Sequence, residues 1–514
     1  MTGAGGRNWW ETRGYAAALV LLAALPLLWP DILPLVDLTA HIGRYSVQLD
    51  LANSPALQQF YGFEWRWIGN LGVDLLILPF GKIFGVELGT KLIVMAIPPL
   101  TVAGFLAVAQ AVHGRLPPTA ALALPLAYAF PFQFGFVNFA LSMALSMLAF
   151  ALWLNLASRP TLRAALFVPL SIALWTVHVF GWAVLGLLAF TAGIVRNRDA
   201  GHGWIAAIFR GGIGCLPLAP PALLMFAWRS EGSAGTTGDW FNWDIKRAYF
   251  VQILRDRWQL FDLLSLIALV AALAAALRSA SAGFSRMFAL AALVLAVTYV
   301  LLPRILIGSA YADMRLAPFA LAIAILAIRF RPDFSRRALH WIALASCAFF
   351  VARIAGHTAS FWLYDRTYDR TLEAVAHIPP HARMVSFVGK PCREDWAKSR
   401  LDHLPALALV RKQAFSNDQW DMPGAQLLSV RLEGAAPFTA DPSQFVFPTH
   451  CAAAPWRSID QALASVPAVF DYLWLIDAPT FDARSLGNFH LVWRNDMSAL
   501  YKRDGRDISS PDKE

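Results

Sequence analysis

Four polar residues early in the chain have the spacing of one helix face. Asp37, His41, Arg44 and Gln48 follow one another at intervals of four, three and four residues, which places them on the same side of a helix over residues 37–50. A carboxylate can take a proton from a hydroxyl group, and an imidazole one turn away can orient it or bind a hydroxyl. Asp37 and His41 are therefore candidate catalytic residues, and Arg44 is a candidate substrate-binding residue.

The same four residues also have an interpretation without chemistry. Asp37 can cap the helix, while His41 and Arg44 are solvated or contact lipid headgroups. Apolar residues occupy the neighbouring face at the same spacing, which is typical of an amphipathic helix at a membrane surface. Spacing alone leaves both interpretations open.

A second group of polar residues lies near residue 310, next to an apolar segment. The guanidinium groups of Arg304 and Arg315 can each bind a phosphate through two parallel hydrogen bonds, and Asp313 lies between them in the chain. His178, at a predicted outer turn, is a further candidate for the same cavity. All four are candidate substrate-binding residues. The alternatives are an Asp313–Arg315 ion pair, arginines that extend to the membrane surface, and a structural histidine.

The elements that must position these residues are mostly transmembrane helices. Of 514 residues, 57% are hydrophobic and 15% are charged, whereas soluble proteins contain about 25% charged residues. This composition argues against a large soluble enzyme and excludes a disordered or fibrous chain. Eleven apolar windows are long enough to cross a bilayer, near residues 14–31, 89–111, 117–133, 138–157, 161–177, 179–195, 205–228, 260–278, 285–307, 314–330 and 338–356. A shorter apolar run at 71–86 predicts an interfacial or re-entrant helix.

The distribution of charge predicts the orientation in the membrane. With the N-terminus in the cytoplasm and a retained first helix, the inner loops are rich in arginine, while the outer loops are balanced. The net charge of +9 therefore reports topology and gives no support to a nucleic-acid partner. The two long outer loops are residues 31–88 and 229–260. The glycine-rich start of the second loop, residues 231–239, is expected to be mobile and to order over a ligand.

Residues 357–514 have the composition of a soluble domain, so we divide the chain into a membrane domain, 1–356, and a C-terminal α/β domain. The patterns predict strands over 383–388 and 470–476, a hairpin over 489–502, and helices over 360–377 and 457–466. Eleven spans place this domain on the outer face, the periplasm of a bacterium. Cys392 and Cys451 would then lie in an oxidising compartment and are expected to form a disulfide.

Together these features resemble the GT-C superfamily of polytopic membrane glycosyltransferases, with the galacturonosyl-, aminoarabinose- and mannosyltransferase branches most similar in layout. The resemblance covers residues 14 to about 330 in architecture. Local likeness lies at Asp37, at residues 84–91, and at residues 128–141, YAFPFQFGFVNFAL. It implies that Asp37 is the catalytic base and that Arg304 or Arg315 binds a lipid phosphate.

The resemblance also implies a function for the whole chain. The protein would be an inverting transferase of the bacterial inner membrane, moving a sugar from a polyprenyl-phosphate carrier to an envelope glycan, lipid or protein on the periplasmic face. Family members commonly carry two nearby acids in the first loop, whereas the nearest acid to Asp37 is Asp31, so no metal cofactor is firmly implied. Two other functions fit the same architecture: a non-catalytic protein that binds or translocates an envelope lipid, and a scaffold for polysaccharide export.

Overall fold

The computed structural model describes residues 8–230, 236–306, 309–421, 426–440, 442–453 and 455–505. Residues 231–235, which begin the loop expected to order over a ligand, lie outside them. The chain divides into two compact units. We call them the membrane unit (Met1–Trp29, Trp67–Leu76 and Leu92–Ser360) and the sheet unit (Pro30–Arg66, Ile77–Lys91 and Phe361–Glu514).

Most of the described chain is helical. The α-helices are, in chain order, α1 (Arg13–Leu22), α2 (Leu38–Asp50), α3 (Pro55–Phe60), α4 (Gly72–Phe84), α5 (Val86–Met95), α6 (Ile97–His113), α7 (Ala120–Ala123), α8 (Phe130–Phe134), α9 (Val137–Asn155), α10 (Pro160–Val177), α11 (Val179–Asp199), α12 (Trp204–Gly214), α13 (Pro220–Ser230), α14 (Trp243–Val251), α15 (Gln259–Arg278), α16 (Arg286–Leu301), α17 (Ala317–Leu326), α18 (Arg336–Leu372), α19 (Ala406–Lys412) and α20 (Ile459–Ala464).

The strands lie mostly in the last third of the chain. They are β1 (Tyr61–Phe63), β2 (Ala282–Phe284), β3 (Ile328–Phe330), β4 (Met384–Gly389), β5 (Leu428–Val430), β6 (Phe445–Phe447), β7 (Arg457–Ser458), β8 (Tyr472–Ile476), β9 (Phe489–Arg494) and β10 (Ser498–Arg503).

The membrane unit contains the helices that can cross a bilayer. Among the described residues, six helices are long and apolar enough, or seven if the bent pair Trp204–Gly214 and Leu216–Phe226 is one span. Four shorter apolar helices lie at the remaining predicted windows. An α-helical polytopic membrane protein with a C-terminal sheet domain is therefore confirmed. The number of eleven crossings stays a prediction, because those four helices are shorter than the roughly 20 residues that a span needs.

Glycine residues let the membrane helices approach closely. A Cβ atom at Gly104 of α6 would lie 2.6 Å from the Cβ of Met147 in α9, and one at Gly181 of α11 would lie 2.6 Å from the carbonyl oxygen of Ser142, also in α9. Small residues at such crossings allow the close backbone packing that holds helices together in lipid. Helix α9 is accordingly the buried centre of this bundle.

The sheet unit is built around a six-stranded mixed sheet with the order β7-β6-β4-β8-β10-β9. Strand β4 runs parallel to β6 and β8, while β10 is antiparallel to β8 and β9. The central strands β4 and β8 are buried along their whole length, as expected for parallel strands covered on both faces. The predicted strands, the hairpin and the helix near residue 460 are all present.

The first long loop packs within the sheet unit. Strand β1 pairs antiparallel with β5, with Tyr61 opposite Val430. The hydroxyl of Tyr61 donates to the carbonyl of Ser416 at 3.0 Å and accepts from its N–H at 2.9 Å. Residues of the first loop such as Val47, Leu57 and Phe60 thus share a hydrophobic core with the C-terminal residues, and residues 77–91 belong to the same unit. The sequence-based division placed loop 31–88 with the membrane domain.

Cys392 and Cys451, the pair expected from the sequence, form a disulfide in the sheet unit. The bridge joins the segment after β4 to the segment after β6. Cys215 and Cys347, in the membrane unit, are free thiols.

Candidate functional site

Asp37 is the residue that immediately precedes α2. Its carbonyl accepts the first helical hydrogen bond from the N–H of His41, at 3.1 Å, but its carboxylate forms no capping hydrogen bond with the helix. The side chain is 24% exposed. The helix-cap interpretation therefore does not describe this carboxylate.

The carboxylate of Asp37 lies beside a histidine from the C-terminal part of the chain. Nε2 of His403 is 3.9 Å from Oδ1 of Asp37. The imidazole is buried, lies 5.3 Å from the ring of Trp420, and has its Nδ1 3.5 Å from the amide nitrogen of Gln444. Sequence reasoning missed His403, although the adjacent acid and imidazole at Asp402 and His403 were a visible signal.

The surroundings of His403 keep its imidazole neutral. Burial lowers the pKa of His403 to about 4, and the charges of Lys390 and Lys398 also lower it, while Asp402 opposes the shift. Burial raises the pKa of Asp402, but these two ammonium groups outweigh burial and hold it at about 2. At neutral pH the site therefore combines a neutral imidazole with the ionised Asp402, whose Oδ1 lies 2.5 Å from Nζ of Lys390.

Close helix packing brings the segments of Asp37 and His403 together. Helix α2 lies against α19, which begins three residues after His403. At Gly43 a Cβ atom would lie 2.9 Å from the amide nitrogen of Gln419 and 3.1 Å from the Cβ of Ala406, so a larger residue would push the two helices apart. The side-chain amide of Gln419 donates to the carbonyl of Ala40 at 3.0 Å, which fixes the N-terminal end of α2.

His41 and Arg44 occupy α2 as the spacing predicts. The ring of His41 stacks on Tyr45 with centroids 6.2 Å apart. Arg44 is buried, with its guanidinium 5.0 Å from the ring centre of Tyr45. The alternative interpretation, in which Arg44 is solvated, therefore does not hold for this buried side chain. Asp37 at the N-cap and His41 and Arg44 within α2 therefore belong to one segment of the sheet unit.

The other four predicted residues lie in the membrane unit. Arg304 forms an ion pair with Asp239 of the loop 229–260, which the sequence predicts to lie on the outer face. The ammonium of Lys246 donates to Asp313 at 2.8 Å, and to the carbonyls of Leu302 at 2.7 Å and Tyr299 at 3.1 Å. The ion pair of Asp313 is therefore with Lys246, where the sequence suggested Arg315.

Arg315 lies in an aromatic environment. Its guanidinium carbon is 4.3 Å from the ring centre of Phe136, 5.9 Å from Phe139 and 5.7 Å from Phe180, and Nη1 donates to the hydroxyl of Ser309 at 3.1 Å. His178 contacts the same rings of Phe139 and Phe180. The structure thus brings Arg315 and His178 together around shared phenylalanines.

The side chain of His178 also forms a hydrogen bond with the backbone. His178 precedes α11, and its Nδ1 accepts a hydrogen bond from the N–H of Phe180 at 3.1 Å. The imidazole therefore caps the helix that follows, which is the structural interpretation that the sequence left open.

A buried polar network in the membrane unit escaped the sequence analysis. Nδ1 of His357 lies 2.8 Å from Oδ2 of Asp256, and the hydroxyl of Ser360 donates to Oδ1 of Asp256 at 2.9 Å. One turn before His357, Nη1 of Arg353 donates to Asp262 at 2.6 Å. The overlooked signal was a pair of ionisable residues, Arg353 and His357, at the end of an apolar window.

Metal-ligating side chains are grouped at one place in the described part of the chain. Cys392, His450 and Cys451 lie close enough to share an ion, but the two sulfur atoms are joined in the disulfide. The pair cannot supply thiolate ligands in this state.

Comparison with known proteins gives a structural similarity and no sequence match. No protein-family model and no curated protein matches the sequence. Among solved structures, the chain is similar to the crystal structure of ArnT from Cupriavidus metallidurans bound to undecaprenyl phosphate, with 13% identity and a TM-score of 0.49 over 97% of this chain and 98% of the other. At this identity and TM-score, the similarity assigns neither a substrate nor a site residue to this chain.

Proposed function

We propose that this protein is an inverting membrane glycosyltransferase with Asp37 as its catalytic base. It transfers a sugar from a polyprenyl-phosphate carrier to an envelope glycan, lipid or protein on the periplasmic face of the bacterial inner membrane. The observation that carries the proposal is the carboxylate of Asp37, which makes no helix cap and lies 3.9 Å from the neutral imidazole of His403. The resemblance of the sequence to GT-C glycosyltransferases supplies the reaction class.

The proposed reaction is a single displacement at the anomeric carbon. The carboxylate of Asp37 takes the proton of the acceptor hydroxyl as its oxygen forms the new bond to that carbon. The bond between the carbon and the phosphate oxygen breaks at the same time, and the lipid phosphate leaves with the electron pair. Because attack and departure occur on opposite faces, the configuration inverts. The leaving phosphate needs no proton, so a single carboxylate suffices.

His403 is proposed as a positioning residue for Asp37. A neutral imidazole on one side of the carboxylate can hold it by a hydrogen bond without neutralising it, whereas a charged imidazolium would lower its basicity. Burial and the two neighbouring lysines favour the neutral ring. His41, on the next turn of α2, is proposed to bind a hydroxyl of the sugar, and buried Arg44 to support the same face.

Arg315 is proposed as the ligand of the carrier phosphate. Arg304 is the weaker candidate because its guanidinium already pairs with Asp239. The rings around Arg315 reduce its contact with water, which strengthens a charge-assisted hydrogen bond to an oxyanion. Asp313 and Lys246 then hold the loop that carries Arg315, and Asp313 is proposed to position this loop. His178 shares the phenylalanines of Arg315 and is proposed to line the same substrate site.

Transfer by the purified full-length protein in liposomes tests the proposal. The liposomes would contain polyprenyl-phosphate hexoses, pentoses and uronic acids, each labelled in the sugar, together with a membrane extract as the source of acceptors. We expect release of polyprenyl phosphate with one of these donors and an acceptor product of inverted anomeric configuration. Saturable carrier binding with every donor left intact would instead favour the non-catalytic lipid-binding alternative.

A further inference from the structure

The membrane unit contains a cavity that the proposed reaction does not use. It has a volume of about 1090 Å³ and lies among the start of α1, the end of α6, strand β3 and the start of α18. Small-molecule sites commonly enclose roughly 300–1,000 Å³, so this cavity is large enough for a lipid headgroup. Its arginines belong to the loops that the charge distribution predicts to be cytoplasmic.

The charges around this cavity favour an anion. Five arginines contribute to its wall, Arg13, Arg115, Arg329, Arg331 and Arg336. Glu11 is the acid among the described lining residues, and its carboxylate lies 3.8 Å from Nη1 of Arg115. The remaining four guanidinium groups give the wall a strong positive potential. A bound oxyanion, which can accept hydrogen bonds from several N–H groups, would neutralise it.

Helix ends add to the positive potential. Thr12, the N-cap of α1, Ser285, the N-cap of α16, and Arg336, the first residue of α18, all line the cavity. One opposing end, the C-terminus of α6 at His113, also reaches it. Three helix N-termini against one C-terminus leave a partial positive charge that supports the arginines.

The apolar part of the wall distinguishes a lipid from a small free anion. Ala16 and Val20 of α1, together with Ala103, Leu106 and Ala107 of α6, line the same cavity as the arginines. The wall thus passes from charged helix ends to the apolar sides of two membrane helices. A phosphate ion would contact only the charged part, whereas a phospholipid would place its phosphate there and its acyl chain along α1 and α6.

We propose that this cavity binds an anionic phospholipid of the cytoplasmic leaflet, with its phosphate held by the arginines of α1, β3 and α18. Basic pockets between membrane helices on the cytoplasmic side are suited to such headgroups, and each arginine near the surface contributes about 1 kcal/mol. The inference is independent of the proposed sugar transfer, because lipid binding is measured without any donor or acceptor.

Native mass spectrometry of the full-length protein, titrated with phosphatidylglycerol or phosphatidylcholine, tests this site. We expect preferential binding of phosphatidylglycerol, and a loss of affinity of about 25-fold in Arg329→Gln with Arg331→Gln, at roughly fivefold for each arginine. The matched control is Arg278→Gln with Arg337→Gln, two exposed arginines of the same predicted face outside the cavity wall, which should change affinity less than twofold. If the first pair unfolds the protein, Arg13→Gln with Arg336→Gln tests the same wall.

Three results would overturn the proposal. Equal losses in the cavity pair and the control pair would mean that general surface charge attracts the lipid. Unchanged binding in both pairs would remove the cavity from consideration. Displacement of phosphatidylglycerol by inorganic phosphate at similar concentrations would show a site for small anions, with no contribution from the apolar wall.

Discussion

Nε2 of His403 lies 3.9 Å from Oδ1 of Asp37, although Asp37 is close to the N-terminus and His403 lies in the last quarter of the chain. The contact depends on α2 packing against α19, where Gly43 leaves room for Gln419 and Ala406. The first long loop and the C-terminal residues therefore build the candidate base together.

The low pKa of His403 predicts a pH dependence of stability. Above pH 6.5 neither the folded nor the unfolded chain protonates this imidazole. Between pH 6.5 and about 4 only the unfolded chain does, so acidification stabilises the unfolded state. When the pH falls from 7.5 to 5, we expect the unfolding free energy to decrease by about 2 kcal/mol because of His403.

Unfolding of the wild type and of His403→Gln at both pH values measures this contribution. The variant should lose about 2 kcal/mol less on acidification than the wild type, since all other histidines are common to both. His377→Gln, which removes an exposed histidine of the same unit, should leave the wild-type slope intact. An identical slope in His403→Gln would show that the imidazole has the same pKa in the folded and the unfolded chain, and would contradict the lowered pKa.

The two candidate phosphate ligands should differ in their effect. Arg315→Gln removes a proposed charge-assisted hydrogen bond of about 1.5–3 kcal/mol, so the affinity for a polyprenyl phosphate should fall roughly 10- to 100-fold. Arg304→Gln removes a partner of Asp239 and should weaken binding less. Equilibrium binding of the carrier to the purified protein measures both, with the exposed Arg247→Gln as the control. A larger effect at Arg304 would reverse the assignment.

Lys246 and Asp313 form a buried ion pair, so the effects of substituting them on the unfolding free energy should not be additive. Lys246→Met leaves the carboxylate of Asp313 buried without its ion-pair partner, and Asp313→Leu leaves the ammonium of Lys246 in the same situation. Each substitution should lower the unfolding free energy by about 3–5 kcal/mol. The double variant removes both charges and should recover most of that loss. Unfolding free energies of the three variants check this prediction, and strictly additive losses would contradict it.

The disulfide should stabilise the sheet unit. Cys392 and Cys451 are separated by 59 positions, and closing a loop of that length restricts the unfolded chain by about 4 kcal/mol. Serine at both positions should lower the unfolding free energy by this order. Serine at Cys215 and Cys347 removes the free thiols and leaves the bridge in place. The stability of this variant should still fall in a reducing agent, and an unchanged stability would contradict the bridge.

Local sequence patterns predicted much of the fold. Each of the eleven apolar windows contains an apolar helix, and the hairpin around Asn495 lies between β9 and β10, because periodicity and turn residues act over short distances. The helix predicted over residues 37–50 is present as α2. The same local pattern placed His41 and Arg44 on this helix, and Asp37, predicted as its first residue, is its N-cap.

Contacts between distant segments could not be predicted in this way. The pairing of Tyr61 with Val430 and the approach of His403 to Asp37 depend on tertiary packing, which leaves no periodic signal in either segment. The ion pair of Lys246 with Asp313 was missed for the same reason. Arg353 and His357 were overlooked although each had a local signal, an ionisable residue beside apolar sequence.

The most direct test of the account is the rate of sugar transfer by Asp37→Asn. The substitution keeps the size of the side chain and one acceptor oxygen but removes the base, so transfer from the labelled polyprenyl-phosphate sugar should fall about 10²- to 10⁴-fold. The unfolding free energy of the variant, measured alongside, separates loss of the base from loss of folding. Asp50→Asn, an exposed position at the other end of α2, should transfer at the wild-type rate. Undiminished transfer by Asp37→Asn would contradict the assignment of Asp37 as the catalytic base.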